Sequence, residues 1–146
     1  MAMMVALAAC AAKAPPMPAQ GASSALAVAP IAGQRVPVLP ASFLIAEAPA
    51  DEWLPSDRTT RLRWVDSIIG EVLQDRAPEV DWVLPPELRR LARRAPGTVT
   101  DPDRMGQAVL RADKLDRVPD PLRSYLRSLA AISDSRAVMV PAAVQF

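Results

Sequence analysis

Residues 56–84 read SDRTTRLRWVDSIIGEVLQDRAPEVDWVL, and what this stretch forms decides the fold. Leu62, Val65, Ile68, Ile69, Val72 and Leu73 recur at spacings of three and four. That period gathers them on one face of a helix, with the charged residues opposite. Ser56 or Asp57 is placed to cap the helix, Gly70 weakens its interior, and it ends before Pro78. An apolar helix face needs a second layer to cover. Val80, Trp82, Val83 and Leu84, closed off by Pro85-Pro86, supply the first candidate strand of that layer. The unit predicts a small α/β domain and names no reaction.

Downstream, Pro85-Pro86 opens a second helix over residues 87–94, because proline is tolerated in a first helical turn, and Gly97 follows its end. Thr100-Asp101-Pro102 starts a short helix to about residue 110 by the same chemistry. Asp120-Pro121 starts another, with Leu122, Tyr125, Leu126, Leu129 and Ile132 on its apolar face. Residues 133–135 make a turn, and residues 137–146 read as a final strand interrupted by Pro141. Upstream, Phe43, Leu44 and Ile45 look like strand, whereas Pro37 and Pro40 place its beginning at an edge or outside the sheet. A loop over residues 47–55 carries Trp53. The order is strand, helix, strand, helices, strand. With right-handed crossovers this predicts a small, mostly parallel sheet of about three strands covered by helices. So thin a sheet leaves an edge, near Phe146, where another chain can add on.

Charge divides the chain in two. Of 17 basic and 16 acidic residues, only Lys13 and Arg35 precede Glu47. Residues 1–35 therefore read as an extended Pro/Ala-rich arm and residues 36–146 as the folded domain. A net charge of +1 argues against nucleic acid as a partner. Arg89, Arg90, Arg93 and Arg94 form the one local excess. They read as a solvated helix face with snorkelling arginines, or as a docking patch for phospholipid headgroups or an acidic partner.

There is no histidine and one cysteine, which removes the commonest general base and every Cys/His zinc pattern. The paired acids have structural explanations. Asp101 and Asp103 suit a helix cap and first-turn charge, and Asp113 and Asp116 lie among Arg111, Lys114 and Arg117 as ion-paired surface. Asp101-Pro102-Asp103 lacks the further oxygen ligands of a calcium loop. Ser124 and Tyr125 have no base nearby, and no glycine-rich phosphate loop is present. The expectation is no enzyme, no metal and no cofactor. Trp53, Trp64 and Phe146 are candidate interaction anchors; for Trp64 the alternative is a half-buried residue at the edge of the helix face.

The first residues carry a different signal. Leu7-Ala8-Ala9-Cys10 resembles the small-residue pattern around the lipidated cysteine of bacterial lipoproteins, and the Ala/Pro run after it resembles their tether. No basic residue precedes Cys10, so lipidation there requires a start upstream of Met1; the alternative is an inert buried thiol. Apolar character ends near Ala12, short of the roughly 20 residues that span a bilayer. Pro15, Pro16 and Pro18 open a polyproline-like arm that is expected to lie along a partner surface, since ordering it alone costs about 1–2 kcal/mol per residue.

The run Trp82-Val83-Leu84-Pro85-Pro86-Glu87-Leu88-Arg89-Arg90, the helix start at Asp120-Pro121-Leu122 and the segment Asp134-Ser135-Arg136-Ala137-Val138-Met139-Val140-Pro141 together resemble bacterial envelope lipoproteins. The resemblance covers residues 36–146. It is to the α/β domain of the curli secretion channel lipoprotein and the amino-terminal domain of the Tol-Pal translocation protein. It implies an envelope location and a part in assembly. Members of that family continue into further strands, so pore formation is not part of the expectation. Together these signs describe a non-enzymatic accessory subunit on the periplasmic face of a bacterial membrane complex, peripheral or lipid-anchored through Cys10. Its partners would be other protein subunits and the membrane surface, in secretion, cell-wall or photosynthetic/respiratory machinery. The alternative is a freestanding envelope lipoprotein binding a peptide, lipid or cell-wall fragment.

Overall fold

Strand β1, Arg35–Pro37, pairs in parallel with β3, Asp81–Val83, and sets Val36 opposite Trp82. A computed structural model describes residues 28–112 and 114–146, with backbone alone at residues 50 and 51. Cys10, Pro15, Pro16 and Pro18, with most of the proposed arm, lie outside the described residues. Strand β2, Leu44–Ile45, pairs in parallel with β4, Val144–Gln145. A bridge between Val38 and Met139 joins the two ladders. The domain is therefore mixed α/β, with two short two-stranded parallel sheets rather than one sheet of about three strands. Its middle is the run from Arg35 to Ile45, flanked by β3 on one side and the C-terminal segment on the other.

Pro37 ends β1 and Pro40 lies outside any strand, and both are buried. Val38 N–H donates to Val83 O at 2.9 Å, and Leu39 N–H to Met139 O at 2.9 Å, so successive amides face opposite neighbours. The amide that Pro37 lacks would face the C-terminal segment before that segment joins at Met139. The one that Pro40 lacks would face β3 after it has ended at Val83. Pro37 thus ends β1 without costing it a bond to β3, and Pro40 follows the last bridged residue, Val38.

Helix α2, Arg58–Arg76, follows a short helix α1, Ala50–Trp53. The Asp57 carboxylate caps α2, accepting from Thr60 N–H at 2.7 Å and from the Thr60 hydroxyl at 2.8 Å. The buried residues of α2 are Val65, Asp66, Gly70 and Leu73, whereas Val72 is exposed. The helix is thus rolled away from the expected face, toward Gly70. A Cβ on that glycine would stand 2.9 Å from Leu84 Cδ1, so the missing side chain admits Leu84 against the helix backbone. The loss of helix propensity is offset by a close approach.

Helix α3, Pro85–Arg94, starts on Leu84, whose carbonyl accepts from Glu87 and Leu88 N–H. The single short helix expected up to residue 110 is instead two 3-10 turns, Pro102–Arg104 and Gln107–Arg111, parted by Gly106 at φ 70°. Helix α4, Leu122–Ile132, follows. Leu88, Met105, Leu122 and Leu129 pack on Leu39 and Val83, so α3 and α4 cover one face of the strands. Val36, Ala77 and Val80 form a smaller cluster with Trp82 and Met139 on the other, where Trp82 Nε1 donates to Ala77 O at 2.9 Å. Each fully buried Leu or Val stabilises the fold by roughly 1.5–3 kcal/mol.

Candidate functional site

Asp66 is a charged residue on the buried face of α2, only 5% exposed. Its Oδ1 accepts from Ala41 N–H at 2.7 Å, at the place where the chain leaves β1 on its way to β2. Its Oδ2 accepts from Arg89 Nη2, on α3, at 2.9 Å. Arg89 also grips Asp103 with both arms of its fork, Nε to Oδ2 at 2.9 Å and Nη2 to Oδ1 at 2.8 Å. One guanidinium thus ties the middle run, α2, α3 and the first 3-10 turn together. Burial pushes the Asp66 pKa up, against the pull of Ala41 N–H and Arg89. The hydrogen bonds from Arg89 hold Asp103 below its ordinary value, and those same bonds raise Arg89.

Above this triad opens a crevice of about 480 Å³. Pro40, Ala41 and Ser42 wall it at the carboxyl end of β1. Arg58, Leu62 and Arg63 come from α2, Arg89 and Arg93 from α3, and Asp101, Asp103, Arg104 and Gln107 from the 3-10 turns. In open α/β sheets, ligands settle at the carboxyl ends of strands where successive connections leave in opposite directions. Here the middle run has β3 on one side and the C-terminal segment on the other, and the crevice opens at that point.

Five arginines line the crevice against two aspartates. Arg89 is bound to two carboxylates through Nε and Nη2, and Arg58 Nη2 donates to Ser42 O at 3.0 Å. The side chains of Arg63, Arg93 and Arg104 make no hydrogen bond or close ion pair among the described residues, although Arg63 lies near enough to Asp57 and Asp103 to lower the pKa of both electrostatically. Both acids are occupied: Asp103 by Arg89, and Asp101 as the cap that accepts from Asp103 N–H at 3.1 Å. Gln107, 3% exposed, donates from Nε2 to Pro40 O at 3.1 Å while its Oε1 has no partner.

The four arginines expected to form one solvated face separate. Arg89 turns inward; Arg90 is exposed, with Nε donating to Pro86 O; Arg93 is exposed at the crevice; and Arg94 is exposed in the last turn of α3. Trp53 is 83% exposed. The Trp64 and Phe146 rings lie 5.7 Å apart at the surface, which joins two residues distant in sequence. Arg111 stacks over the Phe43 ring at 4.0 Å, whereas Asp113, its expected neighbour in a charged surface, lies outside the described residues.

Asp66, Arg63, Arg104 and Gln107 are site residues that pattern reading passed over. One signal was present: Asp66 interrupts an apolar helical stripe, a position where a charge needs a dedicated partner. Among the described residues no group of three or more His, Cys, Asp or Glu could hold a metal ion, and no helix is long and apolar enough to cross a membrane. No protein-family model matches this chain, and no curated protein or solved structure is detectably similar to it.

Proposed function

We propose that this chain is a non-enzymatic accessory subunit that bridges neighbouring proteins at the periplasmic face of a bacterial membrane. The observation that carries the bridging role is the gathering of exposed apolar side chains at one end of the strands, where the Trp64 ring meets that of Phe146 at a 45° tilt and both remain open to solvent beside Phe43 and Ile45. Aromatic residues left half-covered are the usual anchors of protein interfaces. The occupant is another protein subunit, which would bury these rings and add to the open edge of β4. The envelope location rests on the lipoprotein-like Leu7-Ala8-Ala9-Cys10 and on the resemblance carried by residues 36–146.

The acids of the candidate site support a non-catalytic role, since Asp66 and Asp103 are both spent on Arg89. Purification of the native protein in mild detergent, with intact-mass analysis of what co-elutes, tests this function. Stoichiometric recovery with other subunits is the expected result, together with a mass increment at Cys10. Recovery alone, as a monomer of the encoded mass, would overturn both the bridging role and the lipid anchor. A specific observation favours one alternative, a freestanding envelope protein that binds a small ligand: the arginine-lined crevice.

A further inference from the structure

The geometry points to the crevice at the carboxyl end of β1 as a binding site for a small phosphate monoester, clamped by Arg63, Arg93 and Arg104 above the Asp66–Arg89–Asp103 triad. Its volume of about 480 Å³ falls within the range of small-molecule sites. Two features of charge identify the ligand as an anion. The acids at the crevice are already neutralised or used as a cap, and the guanidinium groups of Arg93 and Arg104 are left with no partner among the described residues, while Arg63 only faces Asp57 and Asp103 through space. Cations that face one concave surface without counter-ions raise the local concentration of anions.

The number and kind of these groups select phosphate. A carboxylate brings one charge and two oxygens, which one guanidinium fork satisfies. A phosphate monoester brings close to two charges and three terminal oxygens, which three guanidinium groups can share. The floor beneath them does not have to reorganise. Arg89 is held by two carboxylates, and Ala41 N–H is already bonded to Asp66, so the crevice walls from α2, α3 and the middle run are fixed in relation to one another before a ligand arrives. Apolar lining is confined to Pro40, Ala41 and Leu62, which suits a small polyol on the ester side rather than a large apolar group.

Such a monoester has two sources, a free phosphorylated polyol or the headgroup of a phosphatidic-acid-type lipid. The site extends beyond the bridging role, and neither depends on the other. The test is calorimetric titration of the full chain at low ionic strength in a phosphate-free buffer. The probes are glycerol 3-phosphate, glycerol and acetate, with flotation on phosphatidylcholine vesicles that contain or lack phosphatidic acid. Arg93→Gln and Arg104→Gln are compared with Arg90→Gln, which changes an exposed arginine on the same helix as Arg93 but outside the crevice, and circular dichroism confirms that each variant is folded.

Saturable binding of glycerol 3-phosphate, weakened about tenfold by Arg93→Gln or Arg104→Gln and unchanged by Arg90→Gln, is the expected result. Binding to phosphatidic acid vesicles alone, with the same dependence on Arg93, supports the site and assigns the lipid as its source. Equal affinity for acetate, equal loss in Arg90→Gln, or no binding to either phosphate probe would overturn it.

Discussion

The Oδ2 of Asp66, on the buried face of α2, lies 2.9 Å from Nη2 of Arg89 on α3, and this pair connects the helices that flank the candidate crevice. Asp66 is almost wholly buried and Arg89 largely so, yet neither charge is isolated. Asp103 accepts from Nη2 and Nε of the same guanidinium, and Ala41 N–H donates to the other carboxylate oxygen of Asp66. Removing one member of such a set costs more than the set contributes as a whole, because the survivors stay buried without partners.

Asp66→Ala is expected to destabilise the domain by about 3–5 kcal/mol, since it leaves Ala41 N–H without an acceptor and removes one of the two carboxylates that Arg89 Nη2 bonds. Asp66→Asn keeps an acceptor for Ala41 N–H and costs less. Urea unfolding followed by tryptophan fluorescence measures both. Equal, small losses would mean that the buried carboxylate does not organise the helices.

Arg89→Lys keeps the charge and removes the fork. A lysine reaches one carboxylate as a point charge and cannot hold Asp66 and the paired oxygens of Asp103 together. A loss of about 2–3 kcal/mol is expected in the same unfolding assay, which would make this nominally conservative change a costly one.

The two acids on Arg89 have opposite pH signatures. Asp103 is held below its ordinary 3.8, so its contribution to stability is complete above that value and is lost as pH falls through the lower folded value. Asp66 is raised above 3.8, so its contribution is complete below that value and is lost as pH rises through the folded one. Stability measured from about pH 2 to pH 7 should therefore show a shallower acid-side fall in Asp103→Asn. The gap between the wild type and Asp66→Asn should narrow as pH rises above 3.8.

Phe146→Ala removes a ring from an exposed pair and should cost the isolated domain about 0.5–1.5 kcal/mol. Its effect on co-purification of partner subunits should be far larger, because a half-exposed aromatic contributes most once a partner covers it. Loss of stability without loss of co-purification would remove the Trp64–Phe146 face from the proposed interface.

Gly70→Val places a branched side chain where a Cβ already meets Leu84 Cδ1 at 2.9 Å. Overpacking of this kind costs about 1–3 kcal/mol, to be read as a drop in thermal midpoint. Gly70→Ala, which regains helix propensity while nudging only the end of a flexible leucine, should be nearly neutral.

The amino-acid order by itself determined the three longest helices of the described body. Asp57 before a long periodic run, Pro85-Pro86 before Glu87, and the apolar spacing of Leu122, Leu126 and Leu129 mark helices through short-range physics that any isolated segment obeys. The parallel α/β arrangement follows from their alternation with short apolar runs. Only the tertiary structure decided which side chains meet. Asp66 and Asp103 reach the same guanidinium from opposite sides of Arg89 in sequence, and Trp64 reaches Phe146 from the far end of the domain. Pro37 could be placed within β1 only once the register set it opposite Val83. These relations depend on how α2 rolls and where each ladder begins and ends, and those are set by long-range packing rather than by local sequence.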